Sequence, residues 1–181
     1  MAAREQHSVL IDQPLEEVFA YITDVDNNSL WQSSTLETEQ TSEGAISVGT
    51  TYRSVFKFLD RRIETTLEVT EHEPPRKQCV RVTSGPIPAI SCYLLEPADG
   101  GTRFTQTLEA EAGGFFRLAE PLVARAYGRQ MQADMATLKD LLEAREAQER
   151  QAGVLAKDLA ASNWLSSSSS RRPSENFTSR Q

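Results

Sequence analysis

With 181 residues, 39% of them hydrophobic and 25% charged, the chain is long enough for one domain with its own core plus a remainder, without a disulfide framework or structural metal. Nineteen basic against twenty-six acidic residues give a formal net charge of −7, which argues against a nucleic-acid binder, because phosphates require clustered Lys and Arg. No run approaches the ~18 consecutive apolar residues of a membrane span, and Met1 to His7 contain no apolar signal region, so neither stable membrane insertion nor secretion is expected and the cytoplasm is the default compartment.

The pattern opens with a strand at 7–12, where Val9 and Ile11 alternate with polar neighbours. Pro14 suits a first helical position. Leu15, Val18, Phe19 and Ile22 then mark one face of a helix that Asp24, Asp26, Asn27 and Asn28 end. A second, short helical turn carries Leu30 and Trp31. From residue 34 the apolar period becomes two, with strands near 34–42, 49–58, 61–72, 77–84, 89–96 and 102–111. Their separators, among them Glu73-Pro74-Pro75, Gly85-Pro86 and Asp99-Gly100, are turn chemistry. Short separators make hairpins, so the sheet is antiparallel. After Gly113-Gly114, the residues Leu118, Leu122, Tyr127, Met131, Met135, Leu138 and Leu142 mark a long helix facing the sheet. Pro121 is expected to kink or delay it. One strand, two short helices, six strands and a long helix make an α+β domain.

Composition divides the chain near residue 147. The segment from there on carries a net +2 and leaves −9 for the body. Residues 1–146 are read as the folded domain, and 147–181 as a helix extension leading into a Ser/Arg-rich tail. From about residue 163, where five consecutive serines begin at Ser166, the apolar content is too low to offset ordering entropy and disorder is expected. Arg171-Arg172-Pro173-Ser174 and Asn176-Phe177-Thr178 match short kinase and glycosylation patterns of a kind that arises by chance.

Alternation assigns Tyr52, Ser54, Phe56 and Phe58 to the inner face of the sheet, with Ile63, Thr65, Leu67 and Val69 on the next strand. Val80 and Val82 follow, then Ala89, Ser91, Tyr93 and Leu95, and finally Phe104, Gln106, Leu108 and Ala110. Ser54, Thr65, Ser91, Gln106 and two tyrosine hydroxyls are unusual in a dry core, where an unpaired buried polar group costs about 1–3 kcal/mol. They either line a ligand pocket or pair with one another and with buried water. Tyr93 and Gln106 should face each other across two central strands, an arrangement suited to orienting a ligand carbonyl or hydroxyl. On the helix, Met131 and Met135 suit either an adaptable pocket wall or ordinary core, and the Tyr127 hydroxyl lies on the same stripe. Phe115 and Phe116 are a candidate apolar lip.

Catalytic groups are scarce. Strict alternation from Val69 points His72 outward, unless a bulge before Pro74 turns it in, and His7 is read as exposed. Cys79 and Cys92 are equidistant from a turn centred on Gly85-Pro86, which makes them cross-strand partners on the outer face. In a reducing compartment two free thiols are expected over a redox pair. Cysteine and histidine spacing gives no zinc pattern, and no phosphate loop or nucleophile elbow occurs, so no metal and no cofactor are expected.

Several segments in this order resemble the START-like, or SRPBCC, superfamily. They are Val9 to Phe19 with Asp24 and Trp31; Gly49-Thr50; Val69 to Pro74-Pro75; and Ser84-Gly85-Pro86. Tyr93 to Pro97 with Gly100 to Arg103, and Leu138-Lys139 with Leu142-Glu143, complete the set. The branch is similar to bacterial members described as polyketide cyclase/dehydrase and lipid-transport-like. The resemblance implies a helix-grip fold, a curved antiparallel sheet of about seven strands around a C-terminal helix, with a cavity between them. It fixes an architecture and leaves the reaction open.

The expectation is a module that binds a small hydrophobic or amphipathic ligand (a polyketide, lipid, isoprenoid or aromatic molecule) through Ser54, Phe56, Thr65, Ser91 and Tyr93, with Phe104, Gln106, Tyr127 and Met131. The alternative is a polyketide cyclase or dehydratase using the same cavity, which a titratable group facing the cavity would favour. A protein-interaction module would require an exposed apolar patch that the alternation does not show. Oligomeric state stays open, a homodimer included.

Overall fold

In a computed structural model, the chain is described over residues 2–58, 61–111 and 116–168, with side chains for 4–57, 61–110 and 125–157. It divides into two units, Met1–Glu143 and Ala144–Gln181.

The first unit starts with β1 (Ala2–Ile11), followed by α1 (Leu15–Thr23), a single 3-10 turn (Val25–Asn27) and α2 (Asn28–Trp31). Six strands follow: β2 (Thr35–Gln40), β3 (Thr51–Phe58), β4 (Arg61–Glu73), β5 (Lys77–Ser84), β6 (Ala89–Ala98) and β7 (Gly101–Glu111). All pair antiparallel in the order β1-β7-β6-β5-β4-β3-β2. The sheet curls around the start of the long helix α3 (Phe116–Ser168). The fold is helix-grip, as the order of elements implied.

Local chemistry explains the joints. Asp24 Oδ1 accepts the Asp26 N–H, which stops α1 and starts the 3-10 turn. Asp99-Gly100 forms the two-residue connection between β6 and β7, where Ala98 pairs with Gly101 and Gly100 takes φ +83°. Pro14 sits one residue ahead of its expected place, as the N-cap of α1.

Four expectations are corrected. β1 starts at Ala2, well before residue 7, because its backbone ladder to β7 continues through polar residues from Ile11–Thr102 back to Ala2–Glu111. α3 begins five residues ahead of Pro121, which therefore does not delay it. The helix also continues through Ser168, so residues 163–168 are helical where disorder was expected. The second unit's Ala- and Leu-containing run favours helix, and Arg150 pairs with Glu146 at 2.8 Å one turn apart. Finally, Cys79 and Cys92 are cross-strand partners with Cα atoms 4.1 Å apart, and they are joined as a disulfide. Directly opposed strand positions bring two thiols within bonding distance whatever the compartment. The Gly113-Gly114 turn, the side chains of Phe115 and Phe116, and the tail motifs from Arg171 on lie outside the described residues.

The core gathers Ile11, Val18, Ile22, Trp31, Leu95, Phe104, Leu138 and Leu142 where α1, α2 and α3 meet one end of the sheet. The helix is fastened there by polar contacts. Glu143 Oε1 accepts the Asp12 N–H at 3.0 Å, Gln13 Nε2 donates to the Leu142 carbonyl, and Lys139 Nζ donates to the Leu10 carbonyl. None of the described helices is long and apolar enough to cross a membrane.

Candidate functional site

Inner-face residues divide along each strand. At the end covered by α1 and α2 they are packed: Leu95 and Phe104 are 1% and 0% exposed, and Trp31 meets Phe104 edge-on at 6.1 Å. One step further along, the face turns polar. His7 lies opposite Gln106, Gln106 opposite Tyr93, Tyr93 opposite Gln78, and Gln78 opposite His72. Five strands thus contribute one polar side chain each to a row across the sheet. Beyond that row lies a cavity of about 310 Å³.

The walls are mainly apolar, with Phe56, Leu67, Val80, Val82, Ile87 and Leu108 among them. Ser54, Thr65, Ser91, Tyr93, Gln106 and Tyr127 also line this space. Phe104 and Met131 do not. Phe104 is one pair too close to Trp31 and lies inside the core, while Met131 is 3% exposed and Met135, one turn on, belongs to the core cluster. Phe58's side chain lies outside the described residues.

Some of the polar groups are satisfied within the protein. Ser54 Oγ lies 3.3 Å from Thr38 Oγ1, and Thr65 Oγ1 donates to the Ser54 carbonyl. Tyr93 Oη accepts a hydrogen bond from Gln32 Nε2 at 2.8 Å, and Gln32 Oε1 in turn accepts from Thr35. The Tyr93 hydrogen is left free to donate. Other groups have no such partner among the described residues, Tyr52 and Gln106 among them. Tyr52 is 2% exposed and its buried hydroxyl makes no hydrogen bond, and Gln106, 7% exposed, makes no side-chain hydrogen bond among the described residues.

Burial also sets the protonation of the phenols. It pushes Tyr93 far above its ordinary range, with neighbouring Tyr127 and Asp134 adding to the effect and the Gln32 bond opposing it. Tyr127 is pushed up to about 12 by burial and then by Asp134, and Tyr52 is raised by burial alone. Near neutral pH these hydroxyls are donors, not bases.

The sequence reading missed several participants. Glu5, Gln78, Gln32 and Thr38 line the cavity. Extending the Val9–Ile11 alternation upstream would have placed His7 and Glu5 on the inner face. His72 is turned inward, because the β4–β5 register shifts between Val69 and Glu71. Its ring packs against Phe19 at 5.8 Å and its Nδ1 lies 2.9 Å from Gln78 Oε1. Its expected outward position followed from strict alternation, which a bulge reverses. Among the described residues no group of three His, Cys, Asp or Glu is placed to hold a metal ion.

No curated protein matches the chain significantly in sequence. Solved structures share its fold at low identity. A protein of Thermus thermophilus, TTHA0849, superposes with a TM-score of 0.69 at 17% identity, over 79% of this chain and 99% of that one. The Zhui aromatase/cyclase from Streptomyces sp. R1128 gives 0.67 at 17% identity, over 80% and 96%. The di-domain aromatase/cyclase BexL, from the BE-7585A biosynthetic pathway, gives 0.62 at 18%, over 78% of this chain and 46% of that one. Residues 3–143 match one family model, and the chain belongs to the family described as polyketide cyclase / dehydrase and lipid transport.

Proposed function

We propose that the cavity binds a small, mostly apolar ligand and orients it through the Tyr52, Tyr93, Gln106 and Tyr127 side chains. The observation that carries this reading is the buried, unpartnered Tyr52 hydroxyl on an apolar wall. Such a group costs about 1–3 kcal/mol in the empty protein, and a guest bearing an acceptor removes that cost. Burying the guest's apolar area adds roughly 25 cal/mol per Å². Native mass spectrometry of the full chain purified from its host tests it. A co-purifying small molecule is expected. Repeatedly empty protein that also gives no thermal shift with a lipid and polyketide panel would count against binding.

A second reading, catalysis of a cyclisation or dehydration on a poly-β-keto chain, is favoured by one specific feature. Glu5 lines the cavity and its Oε2 lies 3.7 Å from His7 Nε2, which supplies titratable groups beside a bound chain. Folding a long substrate into a reactive shape would provide much of the rate by positioning. The family includes both kinds of member by its description, and the ligand's identity belongs to the experiment above.

A further inference from the structure

Where β1 faces α3, three residues depart together from what packing alone would select. Glu5 and His7 occupy inner-face positions in line with the apolar Val9 and Ile11. Both are partly covered, with side chains 30% and 21% exposed, and the His7 Nε2 atom is buried without a hydrogen-bond partner. Opposite them the helix carries Gly128. A Cβ there would stand 2.9 Å from Glu5 Oε2 and 3.2 Å from His7 Nε2. Glycine in a helix interior weakens the helix by about 1 kcal/mol relative to alanine. Here its missing side chain is the space that the carboxylate and the imidazole occupy.

The 3.7 Å between Glu5 Oε2 and His7 Nε2 is too long for a direct hydrogen bond. It is short enough for a single oxygen to touch both. A hydroxyl has the matching chemistry, since its O–H donates to the carboxylate while its lone pairs accept from an imidazole N–H. Glu5 lines the cavity, as does Tyr127, the neighbour of Gly128. We propose that Glu5, His7 and Gly128 form a subsite for a hydroxyl (phenol, enol or alcohol) carried by the cavity's apolar ligand. The inference rests on the binding reading above and names the polar group that the ligand presents at the β1 side.

Equilibrium dialysis of the full chain against naphthalene and 2-naphthol, which share one apolar body, tests it. 2-Naphthol is expected to bind about tenfold more tightly, the increment of one good polar contact. In Gly128→Ala, where the added methyl displaces the carboxylate, and in Glu5→Leu, that advantage should vanish, so that each variant binds the two compounds alike. Gly128→Ala favours the helix, so loss of folding does not mimic the result, and circular dichroism checks it. Equal binding of both compounds by the unaltered protein, or an advantage that survives both substitutions, overturns the subsite and leaves the cavity reading standing. Binding of neither compound overturns the subsite and the cavity reading together.

Discussion

Tyr93 on β6 and Gln106 on β7 lie directly opposite each other, yet the Tyr93 hydroxyl is held by Gln32, and Gln106 makes no side-chain hydrogen bond among the described residues. The pair therefore splits its tasks. One member is fixed from the α2 side, and the other keeps its hydrogen-bonding capacity for something the protein does not supply. Replacing a buried unpaired polar group with an apolar one of similar size removes a desolvation cost. Tyr52→Phe should accordingly be neutral or up to about 1 kcal/mol more stable, and Gln106→Leu close to neutral, in denaturant titration of the ligand-free protein. Both should bind the co-purifying ligand more weakly. A clear loss of stability would mean that these groups are paired in the empty protein after all.

Raised phenol ionisation gives an alkaline signature. Tyr93 and Tyr127 keep their protons in the fold well above the ordinary value of 10.0, Tyr127 up to about 12. Unfolded tyrosines release theirs near 10, so above that pH the unfolded chain gains ionisation free energy that the fold does not. The contribution is complete below pH 10 and lost as pH rises from about 10 toward 12. Ultraviolet titration should show the phenolate absorbance of these two residues arriving late, together with unfolding. In Tyr127→Phe part of that late absorbance should disappear.

On the acid side the sign is opposite. The Lys139 ammonium first, and then the Asp12 N–H, hold the Glu143 carboxyl below its ordinary 4.5. Its stabilisation is present above that value and is lost as pH falls through the lowered one. Glu143→Gln should cost about 1 kcal/mol at neutral pH and flatten the acid limb of the stability curve. An acid limb unchanged in the variant would show that the fastening of α3 to Asp12 carries no weight.

The Cys79–Cys92 bond closes a short loop, its ends 13 positions apart. Loop-closure entropy of that size corresponds to about 2–3 kcal/mol. Reduction, or a Cys79→Ala/Cys92→Ala variant, should lower the midpoint of thermal unfolding by several degrees. Because the disulfide is on β5 and β6, away from the inner face that Gln78 and Tyr93 line, ligand binding at temperatures below unfolding should persist. Free thiols in freshly purified, unreduced protein would contradict the pairing.

The order of elements was legible because period-two and helical patterns alternate cleanly between Ile11 and Leu142, and each joint has its own turn chemistry. Inner-face residues such as Tyr52, Ser54 and Gln106 followed from alternation alone. What alternation could not give is depth along a strand. Phe104 and Gln106 share a face, but only the first lies under Trp31, a contact between segments far apart in sequence. His72 was misplaced by a bulge, a shift that leaves no reliable mark in composition. Glu5 and His7 were hidden for a different reason. Polar residues at the end of a strand read as solvent-exposed, and only the opposing Gly128 on a distant helix reveals that the position is covered. The disulfide illustrates the same point in reverse: the sequence positions suggested the pairing, while the argument from compartment pointed away from the bond.

The central claim is that the space bounded by Tyr52, Gln106 and Tyr127 is made for a guest. The most direct measurement is a crystal structure of the protein purified from its host together with whatever accompanies it. The account predicts non-protein density in that space, with a polar atom within hydrogen-bonding distance of Tyr52 Oη. A cavity closed by the protein's own side chains, or a guest lodged elsewhere on the molecule, would contradict it.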